Sequence, residues 1–498
     1  MEKVLFTARK TIRNYTNGGN ILIAATILAM IVVNIPFTAE IYNSLWNNEI
    51  ALQIGKFNLF SHHGHPMTIM QFINDALMAI FFLNVGLEIK REILVGELSS
   101  FRQAILPIVA AIGGMLLPVG LFFALGLGSD YINGAEIPMA TDIAFSLGVL
   151  AMLGKRVPLA LKVFLTTLAV VDDIGGILVI AIFYSSEINV TMLLIAAALF
   201  AVLLLGSFFK IKSKIYYLGI GAFIWFCFLN AGIHPTIAGV LIAFCVPAKP
   251  LHTPNHYINI IQAKISHFKK DMAVNFKERT FLTKQQVNWF KEIESASDKV
   301  ISPLQDLEDS LHPIVNYIIV PLFAFANAGI FFGDLEIASI FQGVSLTIMI
   351  SLVVGKFLGI FSFSWLCVKL KIASMPAGTD WKMIAGVSLL GGIGFTVSLF
   401  IANLSFTGDA ASVAILNNAK LGIVVGSLIA GILGYILLAA TLPKGKAKKP
   451  FIHPLHSSSW QHPYSTKSSA SESNSISTTT TTMCLTLQLS LTRSLTSC

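Results

Sequence analysis

Apolar runs of roughly the length of a bilayer-crossing helix, about twenty residues, recur between residues 20 and 442, separated by short polar stretches. Twelve spans are predicted. The first three cover 20–37, 67–87 and 104–125. The fourth is interrupted, with Pro138-Met139-Ala140-Thr141-Asp142 leading into 143–153. The fifth, 159–184, carries Asp172 and Asp173 side by side near its middle. The sixth to ninth cover 190–209, 215–229, a short 234–246, and 312–332. The tenth, 340–369, contains Lys356. The eleventh, 383–404, contains Gly391-Gly392-Ile393-Gly394-Phe395-Thr396, and the twelfth is 420–442.

Three stretches depart from this pattern. Residues 49–54 and 56–60 flank Gly55 and read as a β-hairpin outside the membrane. An exposed hairpin can add to the edge of its own copy, so residues 49–60 are expected to hold a homodimer; a plain surface loop is the alternative. Residues 247–311 turn polar and lysine-rich, forming a soluble insertion that is helical in its second half, where Lys284 to Glu294 has helical spacing. Beyond 445 the composition collapses into Ser and Thr, and 446–498 reads as a disordered tail that builds no core. Residues 1–445 are then one transmembrane domain.

Composition sharpens the class. Of 498 residues, 55% are hydrophobic and 12% charged, against about 25% charged in soluble domains. This is the profile of an all-α polytopic membrane protein. The net charge of +8 calls for no nucleic acid, because the basic residues follow the topology. Lys90, Arg91, Arg102, Lys155, Arg156, Lys210, Lys369 and the lysines of the insertion fall on one face; Lys56 and Lys420 stand near the other. By the positive-inside rule the first face, with both termini, is cytoplasmic. Residues 1–14 read as a basic amphipathic segment rather than a cleavable signal peptide. The five cysteines show no CxxC or metal-ligand spacing.

The candidate chemistry lies in ionisable groups inside the spans. A carboxylate at the centre of a spanning helix costs roughly 3 kcal/mol on insertion scales. Asp142, Asp172, Asp173 and Lys356 sit deepest, with Asp75 next, and are expected to share one site. Neighbours on a helix point about 100° apart, so Asp172 and Asp173 should have different surroundings and different tasks. Gly355 and Gly359 flank Lys356, and small residues let helices approach, which suits a Lys356–carboxylate pair. The interrupted spans are the middle members of spans three to five and ten to twelve. Matching breaks in two halves indicate inverted repeats around a transport site. Asp142 would offset the freed N-terminal helix ends there, and Lys356 the C-terminal ones.

These residues carry a resemblance. Val85-Gly86-Leu87-Glu88-Ile89-Lys90-Arg91-Glu92, Ala140-Thr141-Asp142-Ile143-Ala144-Phe145, Val171-Asp172-Asp173-Ile174-Gly175, Pro321 to Gly329, Gly355-Lys356, and Gly392 to Ser398 resemble the NhaA family of bacterial Na+/H+ antiporters over about residues 1–445. The resemblance implies about twelve helices with inverted-topology repeats and two broken crossing helices. It implies that Asp173 is a principal Na+ ligand, and that Asp172 shares the site and pairs with Lys356 when Na+ is absent. Thr141 and Asp142 lie at the broken fourth span. Glu88, Arg91 and Glu92 match a cytoplasmic pH-sensing cluster. Glu308, His312 and His234 match further acidic and histidine positions, against the plainer reading of solvated loop charges. The resemblance further implies no cofactor and no enzyme activity, with Na+ or Li+ and protons as the substrates, carried across a bacterial inner membrane.

Na+ is a hard cation that takes oxygen ligands, and a protonated carboxylate cannot hold it. Competition for one set of carboxylates gives exchange, electrogenic if more than one proton moves per Na+, and suited to sodium and pH homeostasis. A cation channel gated by protonation of membrane carboxylates is the rival, since acidic rings also select cations. An intramembrane aspartyl protease would need a GxGD motif and a prenyltransferase a DDxxD motif; neither is present.

Overall fold

A computed structural model of the chain describes residues 18–443 apart from 52, 55–56, 59–60, 63–64, 185–187, 250–253, 276–280, 332, 334–339 and 407–409. The N-terminal basic segment and the Ser/Thr tail lie outside the described residues.

Helix α1 (Gly18–Asn34) is followed at once by α2 (Pro36–Asn47), bent away from it by 113°. The sequence reading places 20–37 in one span and predicts no helix between it and the hairpin. Instead Pro36 opens a second helix, at the position where its missing N–H costs nothing. Tyr42 and Trp46 on α2 are buried. The Tyr42 hydroxyl donates to the Phe325 and Ala326 carbonyls at 2.5 and 3.0 Å, and the two rings meet Phe325 edge-on.

Five short strands follow: β1 (Glu49–Ile50), β2 (Gln53–Ile54), β3 (Phe57–Asn58), β4 (Ser61–His62) and β5 (His65–Thr68). β2 and β3 pair antiparallel, Gln53 with Asn58 and Ile54 with Phe57, where the hairpin was expected. β5 also returns between β1 and β4, a pairing the sequence pattern did not indicate.

The remaining helices are α3 (Ile69–Val95), α4 (Phe101–Gly126), α5 (Ile143–Met152), α6 (Leu159–Phe183), α7 (Val190–Phe208), α8 (Lys214–Ala231), α9 (Thr236–Cys245), α10 (Pro254–Asn275), α11 (Lys284–Val300), α12 (Pro303–Asn327), α13 (Gly343–Lys369), α14 (Trp381–Leu390), α15 (Phe395–Ser405) and α16 (Ala410–Thr441). Among the described residues, eight are long and apolar enough to cross a membrane, or eleven crossings if each of three bent pairs counts as one. The short apolar α9 coincides with the expected eighth span. Besides α1 and α2, the bent pairs are 132–139 with α5, at 41°, and α14 with α15, at 43°. They fall where the fourth and eleventh spans were expected to break.

Two boundaries shift. The insertion is helical in both halves: α10 and α11 form a helical hairpin joined by a Lys264–Glu292 ion pair (2.5 Å), a Gln286–Asp271 hydrogen bond (2.7 Å) and the edge-on rings of Phe268 and Phe290. The ninth span begins at Pro303 rather than at residue 312. Ser302 caps it by accepting from the Gln305 N–H, and Pro313 sits inside the helix with a π-helical turn just beyond it.

Glycines set the closest helix approach. A Cβ on Gly359 would strike the Gly113 carbonyl, and one on Gly355 would lie 2.8 Å from the Pro118 Cα. These glycines therefore dock α13 on α4, not on the helix carrying Asp172. α4 in turn meets α6 where Met115 packs on Gly175, so it is the plate against which α6 and α13 are both set.

Candidate functional site

The two broken pairs meet at their breaks. Where a helix stops inside an apolar bundle, its N–H and C=O groups need new partners, and here each break supplies the other. The Asp142 N–H donates to the Ile393 carbonyl (2.7 Å), the Thr141 hydroxyl to the Gly391 carbonyl (2.8 Å), the Ser146 hydroxyl to the Leu390 carbonyl (2.9 Å) and the Ser398 hydroxyl to the Ile137 carbonyl (2.7 Å). Gly391, Gly392 and Gly394 belong to this crossing: a Cβ on Gly392 would press on the Leu352 carbonyl at 2.5 Å.

Asp142 serves two helix starts at once. One carboxylate oxygen accepts from the Phe145 N–H of α5 at 3.0 Å; the other accepts from the Thr396 N–H (3.1 Å) and hydroxyl (2.6 Å) of α15. A negative group between two helix N-termini is stabilised by both dipoles. Lys356 stands towards the opposite polarity. Its Nζ donates to Thr141 Oγ1 at 2.9 Å, and that hydroxyl passes its own proton to Gly391, at the C-terminal end of α14.

Lys356 also pairs with Asp172 at 2.5 Å, and both side chains are completely withdrawn from solvent. A π-helical turn, Ser351–Gly355, immediately precedes Lys356 on α13; such turns recur where a helix must present a side chain out of regular phase. The second oxygen of Asp172 has no hydrogen-bond partner among the described residues.

Asp173 has different surroundings. Its carboxylate hydrogen-bonds to none of the described residues and opens on a cavity of about 310 Å³. The same cavity is walled by Thr141, Asp142, Thr396, Asn84, Glu88 and His312. The structure thus gathers Asp142, Asp172, Asp173, Thr141 and Lys356 into one cluster, with the cavity opening a path along α3 to Glu88.

At the far end of that path Arg91 collects the acids. Its guanidinium lies 2.5 Å from Glu308, 3.3 Å from Glu92 and 3.9 Å from Glu88. Glu308 is buried on α12 rather than on a solvated loop. His312, one helical turn further along α12, lines the cavity.

His234 does not join this group. It is buried in a second cavity of about 280 Å³, with its Nε2 3.9 Å from Asp75 and its Nδ1 2.7 Å from the Thr236 hydroxyl. Asp75 likewise stands outside the main cluster, on a π-helical turn of α3 whose Asp75 carbonyl accepts from the Trp225 indole. Thr396 and Asn84 were not singled out as site residues; the only signal for Thr396 was its place at the end of the broken Gly391–Phe395 stretch.

Comparison with known proteins places the chain among relatives. The Na+/H+ antiporter 1 family profile matches residues 9–438. A Na+/H+ antiporter NhaA of Phocaeicola vulgatus is 53% identical over 448 residues, covering 89% of this chain and 98% of that protein. One from Bacteroides fragilis is 54% identical over 426 residues, 85% of this chain and 95% of its own. A Helicobacter hepaticus protein described as Na+/H+ antiporter NhaA 2 is 44% identical over 433 residues, 86% and 94% of the two chains.

Proposed function

The chain belongs to the Na+/H+ antiporter 1 family, and from that premise we propose that it exchanges cytoplasmic Na+ or Li+ for external protons, electrogenically and under pH control, with both termini on the cytoplasmic side. The observation that carries the reading is the division of labour between adjacent acids: Asp172 sealed against Lys356, and Asp173 open to a cavity that Thr141, Asp142 and Glu88 also line.

Na+ enters past Glu88 and meets the oxygens of Asp173, Thr141 and Asp172. A cation there competes with Lys356 for Asp172, and the pair opens. Protons returning from the other side, past Asp75 and His234, re-occupy the carboxylates and expel Na+. Two carboxylates and one lysine can release more than one proton per Na+, which lets the membrane potential drive the cycle. The Arg91 cluster with Glu88, Glu92 and Glu308 regulates entry: protonating its acids loosens the ion pairs that join α3 to α12.

The test is purified protein in liposomes with an imposed pH gradient. Uphill Na+ movement is expected, accelerated or opposed by an applied potential, and lost in Asp173→Asn, which keeps the volume and removes the titratable charge. Na+ that only runs down its own gradient would indicate a channel; Asp173→Asn exchanging at a near-normal rate would move the site elsewhere.

A further inference from the structure

α3 presents Phe81, Asn84, Val85 and Glu88 to the cavity that Asp173 opens on, spacings of three and four that put them on one helix face. Asn84 lies one helical turn before Glu88 and lines the same cavity as Asp142 and Asp173. It is 5% exposed, and its carboxamide oxygen is buried with no hydrogen-bond partner among the described residues. Buried polar groups are nearly always paired, and leaving one unpaired is costly. Phe81 and Val85, which share this face, show that the position has apolar neighbours able to pack a leucine. The terminal torsion of Asn is soft and two-fold, so a half-turn exchanges its oxygen and nitrogen across the cavity wall.

We propose that Asn84 is a neutral oxygen ligand for Na+ on its passage between Glu88 and Asp173. The proposal deepens the antiport reading above and rests on it. A hard monovalent cation leaving water needs replacement oxygens, and Phe81 and Val85, the other residues that α3 lends to the cavity beside Glu88, have no side-chain oxygen to offer. A second acid at this depth would hold the ion too firmly; a site on a conduction path has to be weak enough to leave. An amide also does not titrate. The groups that do titrate around the cavity are Glu88 on α3, Asp142 and Asp173 at and beside the crossing, and His312 on α12. Removing a neutral ligand weakens Na+ by one factor at every pH, whereas disturbing a titrating neighbour changes the factor with pH.

The measurement is the apparent KM for Na+ of the reconstituted full chain from pH 6.5 to 9, for Asn84→Leu, Asn84→Ser and Asn84→Asp. Asn84→Leu is expected to raise KM by roughly tenfold, the size of one lost interaction with a charged partner, and by the same factor at each pH. Asn84→Ser, which returns an oxygen, should fall between it and wild type. Asn84→Asp should lower KM most at high pH, where the new acid is ionised. It also decides the matter if the leucine variant does not insert. Unchanged KM in Asn84→Leu, a rise confined to one end of the pH range, or an Asn84→Asp indistinguishable from wild type would each overturn the assignment. Wild type that shows no exchange would instead remove the antiport reading on which it rests.

Discussion

Lys356 carries the sharpest question at the level of single residues, because it holds Asp172 and, through Thr141, the end of α14. It is either a strut or a proton carrier, and we favour the carrier. Arginine keeps the charge but does not deprotonate in a protein. Lys356→Arg is therefore expected to insert and fold, and to move fewer charges per Na+, or none; full transport at an unchanged ratio would leave Lys356 a strut. Lys356→Ala is a different perturbation. It strands Asp172 in a fully buried position, a loss of about 3–5 kcal/mol when one partner of a buried pair is removed. The pair was legible in the sequence because an acid and a lysine deep in separate spans have few other ways to offset their burial. Thr396 and Asn84 were not, since a lone hydroxyl or amide in an apolar helix has many ordinary uses and only the three-dimensional cavity gives these two a direction. Glu308 falls in the polar insertion on the sequence reading, because the ninth span is placed from residue 312, next to Pro313. The helix instead runs through that proline and carries Glu308 to Arg91.

The contact between α4 and α13 decides where Lys356 stands, and it is made of glycine. Gly359→Ala would push a methyl into the Gly113 carbonyl, whereas Gly120 on the same α4 faces open space. The expected result is a loss of about 1–3 kcal/mol for Gly359→Ala, in line with overpacking of a tight core. Gly120→Ala should gain a few tenths to 1 kcal/mol from reduced freedom of the unfolded chain. Thermal unfolding in detergent reads both, and equal midpoints for the two variants would mean that the helices can separate without penalty. At this scale the breaks at 140–142 and 391–394 were visible as clusters of Pro, Gly and Thr inside otherwise apolar runs. The helix α2 was hidden by Pro36, which ends one helix and begins the next with the same residue. The first half of the insertion was hidden because α10 is polar on most of its surface and borrows its stability from α11.

At the scale of the whole molecule, the strands between α2 and α3 form two small sheets, β1-β5-β4 and β2-β3, whose outer strands leave backbone edges. We propose that these edges join two copies. Deleting Gln53–Asn58 should leave a monomer in detergent that still exchanges Na+ for protons in liposomes, and a deletion variant that remains dimeric would exclude this contact. The hairpin could be anticipated from its alternating residues around Gly55, but the return of β5 between β1 and β4 could not, since two-residue strands carry too little pattern to specify a partner. The crossing of the broken spans has a bearing on how the protein is made. Thr141 and Gly391 are 250 positions apart, and Asp172 and Lys356 are 184 apart. At ordinary elongation rates of about 5–20 residues per second, the ribosome needs on the order of tens of seconds to go from one partner to the other. Throughout that interval the nascent N-terminal half stands in the bilayer without Lys356 and with the helix ends at the 140–142 break unanswered. It has to be shielded by the insertion machinery or hold its carboxyls protonated until the last third arrives. A ribosome stalled before residue 356 thus leaves behind a chain that carries Asp172 and Asp173 without the cation that answers them.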